Sequence, residues 1–139
     1  MAIDTDKISV VLRNFVGSVS NVQGAVISSS EGLPLASYLP SEIEDERVSA
    51  VSATLLSMGE RVSSAFNQGV VERIYIQSNR GFSILTSSDA DTVLFVLANE
   101  DIKQGVLLQE INRIIPELKH AVDGGKNWSN SVSITRRNT

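Results

Sequence analysis

Ile8, Val11, Leu12, Phe15 and Val19 recur with the three-and-four spacing of one helical face and predict a helix over residues 4–19. Asp4 or Thr5 can accept a hydrogen bond from its free first-turn amides, and Ser20-Asn21 stops it. The pattern then changes period. Residues 22–29 are β-branched and small, Glu31-Gly32 supplies a turn, and residues 33–39 run back as a second strand. Gly32 can take the positive φ that such a turn requires, and Pro34 removes an amide donor, which predicts an edge strand or a bulge. Pro40-Ser41 opens a long helix over about residues 42–67, with Ser41 as N-cap and Glu42, Glu44, Asp45 and Glu46 at its positive end. Along it Val48, Val51, Leu55, Met58, Val62 and Phe66 form an apolar stripe, expected to pack on a sheet.

Three further strands are predicted at 70–77, 82–87 and 92–98, divided by Asn79-Arg80-Gly81 and Ser88-Asp89-Ala90-Asp91. The last is apolar on both faces, as a central strand must be. A final helix from about Asp101 carries Leu107, Leu108, Ile111, Ile114, Ile115 and Leu118. Pro116 inside it is expected to cost about 3 kcal/mol or to kink it. The chain turns polar after Val122, so a domain over residues 1–122 is expected, followed by a flexible polar tail over 123–139. Trp128, the only tryptophan, lies in that tail beside Arg136 and Arg137 and could anchor it on a partner. The order helix-strand-strand-helix-strand-strand-strand-helix predicts an α/β (α+β) sandwich, a five-stranded mainly antiparallel sheet with helices on both faces.

Composition narrows the function. The 139 residues suffice for one core without a staple, and there is no cysteine for a disulfide or a thiolate metal site. The start lacks the basic and apolar run of a signal peptide and no stretch is long enough for a membrane span, so a cytoplasmic protein without membrane insertion is expected. A formal net charge of -4, scattered basic residues and few aromatics argue against nucleic acid as a partner.

Reactive groups do not converge. His120 is the only histidine and reads as a solvated cation near a helix end. No Walker loop is present, because His120 stands where one ending in Gly125-Lys126 needs its first glycine, and Gly-x-Gly-x-x-Gly is also absent. No Gly-x-Ser-x-Gly elbow exists, and Glu42, Glu44, Asp45 and Glu46 read as a charged helix start. No enzyme, metal or cofactor is expected.

The helix at 42–67 is the informative element. Outside its stripe stand Ser49, Ala50, Ser52, Ala53, Ser57, Gly59, Ser63 and Ser64, small enough for another helix to approach closely. In the strand at 70–77, Val71, Arg73 and Tyr75 point one way and Glu72, Ile74 and Ile76 the other. At a sheet edge this strand would invite the same strand of a second copy. A symmetric dimer would use both features, and Ala50, Ala53, Gly59, Val71, Arg73 and Tyr75 are its candidate interface.

Val22-Gln23-Gly24-Ala25-Val26-Ile27, Glu31-Gly32-Leu33-Pro34-Leu35-Ala36-Ser37, the helix with Leu55-Leu56-Ser57-Met58-Gly59-Glu60-Arg61, and the strands with Ile74-Tyr75-Ile76 and Val93-Leu94-Phe95-Val96-Leu97-Ala98 together resemble a Roadblock / dynein light-chain domain. The resemblance covers about residues 7–120, and the compact chain is similar to stand-alone prokaryotic members of the MglB group. It implies a homodimer, built on the central helix and third strand, that binds a Ras-like small GTPase and regulates it by stimulating GTP hydrolysis. The alternative is a non-catalytic scaffold or light-chain adaptor linking larger proteins. A third account, a small-molecule sensor, would need a sizeable apolar pocket. The resemblance nominates Glu46, Ser49, Ser52, Ser57, Glu60, Arg61 and Ser64 as exposed partner-binding positions. Arg61 could serve as an arginine finger. Its place beside Glu60 on a wet helix face reads more simply as a solvated side chain, and the MglB-like mode implies repositioning of the GTPase's own residues instead.

Overall fold

The computed structural model describes the backbone of residues 4–138 and the side chains of residues 4–122. Helix α1 (Thr5–Ser18) opens on Asp4, whose carboxylate accepts the amide of Lys7 at 3.1 Å. Strands β1 (Val22–Ser29) and β2 (Pro34–Tyr38) form the first hairpin, followed by α2 (Asp45–Ala65). Strands β3 (Arg73–Ser78), β4 (Gly81–Ser87) and β5 (Thr92–Asn99) then lead into α3 (Gln104–Asn138).

The five strands form one antiparallel sheet in the order β2-β1-β5-β4-β3. β1 and β5 occupy its middle and are buried along both faces, as the apolar run at 92–98 predicts. Pro34 satisfies both of its expected positions. It begins the edge strand β2, and the pairing shifts register opposite it, between Ile27 and Ser28. Gly32 takes φ 96° in the turn.

Alternation along the strands divides the core in two. Ala25, Ile27, Ile84, Leu94 and Val96 meet Ile8, Leu12 and Phe15 of α1 and Leu107, Ile111 and Leu118 of α3. The neighbouring positions Val26, Leu85, Val93 and Phe95 face the other way, toward Val48 and Leu56 of α2.

The boundaries differ from the sequence pattern in three places, each for a local reason. The amide of Ile43 donates to the carbonyl of Pro40, so a turn takes up the first residues assigned to the long helix. Glu44 therefore stands at the N-cap in place of Ser41 and makes no side-chain cap bond. Asn67 and Gly69 both adopt positive φ after α2, and the chain reaches strand geometry at Arg73 instead of residue 70. Asn99 and Asp101 bind each other across a turn, the Asp101 amide donating to the Asn99 side chain at 2.9 Å, which delays α3 to Gln104.

Pro116 lies inside α3. The helical backbone of α3 continues through residues 123–138, the stretch read as a polar tail. The side chains there, Trp128 included, lie outside the described residues.

Candidate interaction surface

The rotation of α2 about its own axis decides what this surface is. The residues it buries are Val48, Ser49, Ser52, Leu56 and Ser63. Small side chains therefore meet the sheet beside Val48 and Leu56, while Val51, Met58, Val62 and Phe66 of the apolar stripe do not. Serine tolerates that position because a local acceptor is at hand: Ser52 Oγ donates to the Val48 carbonyl at 2.8 Å, and Ser63 Oγ donates to the Gly69 carbonyl. Gly59 serves the same close approach. A Cβ there would stand 2.7 Å from Ile74 Cδ1, so its missing side chain lets β3 pack beneath the helix.

Four members of the expected packing stripe are consequently on the outside. Val51 is 52% exposed, Met58 53%, Val62 54% and Phe66 70%. Leu55, Met58 and Val62 form one wall of an open groove of about 1220 Å³, and Val71, Ile74 and Tyr75 at the sheet edge form the other. A trough of this length beside a free strand has the shape of a seat for a protein segment.

The nominated residues divide between surface and core. Glu46, Ser57, Glu60, Arg61 and Ser64 are exposed along the outer ridge of α2. Ser49 and Ser52 are not: both are fully buried against the sheet, which removes them from any surface a partner could touch. The cause is the helix rotation just described.

Of the proposed dimer positions, Gly59, Val71, Arg73 and Tyr75 line the groove. Ala53 instead abuts Gly32, where an added Cβ would come within 3.3 Å of the alanine methyl, and Ala50 lies beside it, away from the groove. Val71 precedes the strand and packs with Ile74 under α2, so it does not share the face of Arg73 and Tyr75. Those two lie on the α1–α3 side. Arg73 donates to the side chain of Asn112 on α3 and, at 3.3 Å, to Thr86 Oγ1. The Tyr75 ring lies 6.2 Å from that of Phe82, a member of the larger core.

Sequence reasoning missed Val51, Met58, Val62 and Phe66 as surface residues. One available signal was the second period on the same helix, in which Ser49, Ser52, Gly59 and Ser63 also repeat at helical spacing.

Ser49 Oγ is buried without a hydrogen-bond partner among the described residues. Removing an unsatisfied buried hydroxyl relieves its desolvation cost, and alanine is the better helix former. Ser49→Ala is expected to raise stability by about 1 kcal/mol. A thermal melt checks this, and a loss of stability would place a hidden acceptor near Ser49.

Among the described residues no group of three or more metal-ligating side chains comes together, and no helix is long and apolar enough to cross a membrane. Arg113, on the outer face of α3, has its pKa raised by a hydrogen bond to Glu110 and by that carboxylate's charge. It stands apart from the groove.

Comparison with known proteins decides the family. The family model of the Roadblock/LC7 domain matches residues 9–98. The chain belongs to the Roadblock/LC7 family. Among solved structures, Myxococcus xanthus MglB is similar with a TM-score of 0.82 at 13% identity, over 89% of this chain and 93% of that one. A Roadblock/LC7 domain from Streptomyces avermitilis is similar with a TM-score of 0.75 at 20% identity, over 80% of this chain and 93% of that one. An uncharacterised protein of Methanocaldococcus jannaschii is 21% identical over 104 residues, 75% of this chain and 90% of its own length. At these identities the structural neighbours establish a shared fold. Family membership makes this Roadblock/LC7 domain a small regulatory or adaptor module.

Proposed function

We propose that this Roadblock/LC7 chain acts as a homodimeric interaction module that binds a Ras-like small GTPase and regulates its turnover. The carrying observation is the apolar flank of α2, where Leu55, Met58 and Val62 line a groove beside a free sheet edge and Met58 and Val62 are each about half exposed. Single exposed apolar residues are ordinary on a protein surface; a continuous apolar wall facing a groove marks an interaction site. A second copy presents the same groove, so a two-fold contact covers both at once.

With the apolar flanks buried in the dimer, the polar ridge of Glu46, Ser57, Glu60, Arg61 and Ser64 remains for a different partner. Its mixed charge and short side chains suit a transient contact better than an obligate one. Stimulation of hydrolysis then works by holding the GTPase's own switch residues in a competent arrangement, with the module contributing no active site. The similarity to MglB supports this reading through its fold.

The test is capture of partners from native lysate on the purified protein, with a non-hydrolysable GTP analogue in one sample and GDP in the other. A small GTPase retained only with the GTP analogue is the expected result, to be followed by turnover assays on that pair. Identical partners in both samples, or none of GTPase size, would replace GTPase regulation by a scaffold role.

A further inference from the structure

The chain divides by charge near residue 124. All 16 acidic residues lie within residues 1–123, whereas residues 124–139 hold Lys126, Arg136 and Arg137 and no acid. The same segment carries Trp128, the one tryptophan. A basic stretch with a single large aromatic, joined to an acidic body, is suited to dock on that body wherever an apolar seat lies among acids.

Such a seat lies at the end of the sheet from which the segment leaves. At that end Ser29 of β1 stands opposite Thr92, the start of β5. α3 begins at the other end, where the Ile102 amide donates to the Asn99 carbonyl, and runs back past Asn112, which meets Arg73 at the start of β3. From Gln104 to Val122 it rises about 28 Å, and the eight residues of β5 extend about 27 Å. Val122 therefore stands near the end of the sheet, where the β1–β2 and β4–β5 turns lie. A cavity of about 500 Å³ opens there between α2 and these turns, lined by Leu56, Val71, Ala90 and Val93 together with Glu60 and Asp89. Val70, 87% exposed, lines it too, and no basic side chain does so among the described residues.

We infer that residues 126–139 turn back at Gly124-Gly125 and seat Trp128 in this cavity of their own chain, as a basic latch on the acidic end of the sheet. A helix bends readily at a glycine pair, where each glycine costs about 1 kcal/mol against alanine. Layers of secondary structure pack about 10 Å apart. The stretch from Val122 to Trp128 reaches up to about 20 Å when extended, enough to pass from the α3 layer round the sheet to the α2 layer. The helical backbone of α3 runs on past the sheet end, and the latch gives that stretch something to pack on. Burial of the indole beside Val70 and Val71 supplies the attraction, and the basic side chains near Glu60 and Asp89 set its orientation. The seat shares Ser57 and Glu60 with the polar ridge of α2, so a seated latch occupies one end of that ridge.

Trp128 reports on its own seat in the full chain, because there is no other tryptophan. Its fluorescence emission is expected to be blue-shifted, and its quenching by acrylamide reduced, relative to the chain unfolded in guanidinium chloride. Val70→Asp places a charge in the apolar seat, and Glu60→Lys reverses the charge of its rim. Both positions are exposed, and each variant is expected to stay folded by circular dichroism while its emission returns toward that of the unfolded chain. Glu42→Lys makes the same charge change ahead of α2 and is expected to leave the emission unaltered. A wild-type emission equal to that of the unfolded chain would overturn the latch. So would a blue shift that survives both Val70→Asp and Glu60→Lys, which would place Trp128 elsewhere. A blue shift lost on dilution would assign the seat to a second copy and overturn docking within one chain.

Discussion

Val62→Asp is expected to convert the proposed dimer to monomers while leaving the fold of each chain intact. Val62 is 54% exposed in the single chain, so an aspartate there remains solvated and costs folding little. In the dimer the same carboxylate enters an apolar groove against Met58, Leu55 and the second copy. Burial of an unpaired charge costs several kcal/mol, and the two-fold axis applies that cost twice. Dimer affinity should fall by at least about 100-fold, equivalent to about 2.7 kcal/mol. Sedimentation equilibrium reads this directly as a mass falling from twice the chain's 15.0 kDa to once that value. Val10→Asp is the matched control, because Val10 is 43% exposed on α1, across the sheet from the groove. Its mass should not change. A doubled mass that survives Val62→Asp would show that the dimer forms through another surface.

Phe15→Ala should have the largest effect on folding. Phe15 is 1% exposed and sits in the larger core, where α1 and α3 close over Ile84, Leu94 and Val96. Truncating a buried phenylalanine removes its transfer free energy and leaves a cavity, a loss of about 3–5 kcal/mol. Domains of this size are stable by roughly 5–15 kcal/mol in total, so much of the stability would go. Leu56→Ala in the smaller core should cost less, since Leu56 is already 9% exposed and one side of that core is the open groove. Both are best measured by urea unfolding in the Val62→Asp background, where coupling between dimerisation and folding no longer contributes. A Phe15→Ala loss below about 1 kcal/mol would mean that α1 packs more loosely than its burial indicates.

Some sequence signals carried more information than others. The core of α1 and α3 was legible because these helices have one apolar face each, and Ile8, Leu12, Phe15, Ile111 and Leu118 are all buried. The strands were legible for a similar reason. Val93 to Ala98 is apolar throughout, and only a position flanked by strands and covered on both faces can bury such a run. Pro34 and Gly32 announced an edge and a turn through backbone constraints that no tertiary contact can override.

α2 defeats the same reasoning because it has two faces that repeat at helical spacing. Hydrophobicity assigns Val51, Met58 and Val62 to the sheet, and the small residues to the outside. The packing of the helix on β1 and β5 reverses this. Ser49 and Ser52 are buried there, a Cβ on Gly59 would meet Ile74, and the Ser52 hydroxyl bonds to the helix's own Val48 carbonyl. The expected exposure of Ser49 and Ser52 follows from the wrong rotation, and the same error draws Ala50 and Ala53 toward the groove. Glu46, Ser57, Glu60, Arg61 and Ser64 survive as exposed positions because they point away from the centre of the buried face.

The sequence by itself determined the element order, the antiparallel sandwich, the edge character of β2 and most of the larger core. These depend on local period, proline and glycine geometry and the burial of one-sided elements, all of which are properties of neighbouring residues. Tertiary structure alone decided which face of α2 meets the sheet, where the irregular segment between α2 and β3 releases the chain into strand geometry, and which end of the sheet remains free. Those choices depend on the distance between elements remote in sequence. One sign of it is Gly59, where a Cβ would stand 2.7 Å from the Cδ1 of Ile74, 15 positions away, a contact no pattern along the chain records.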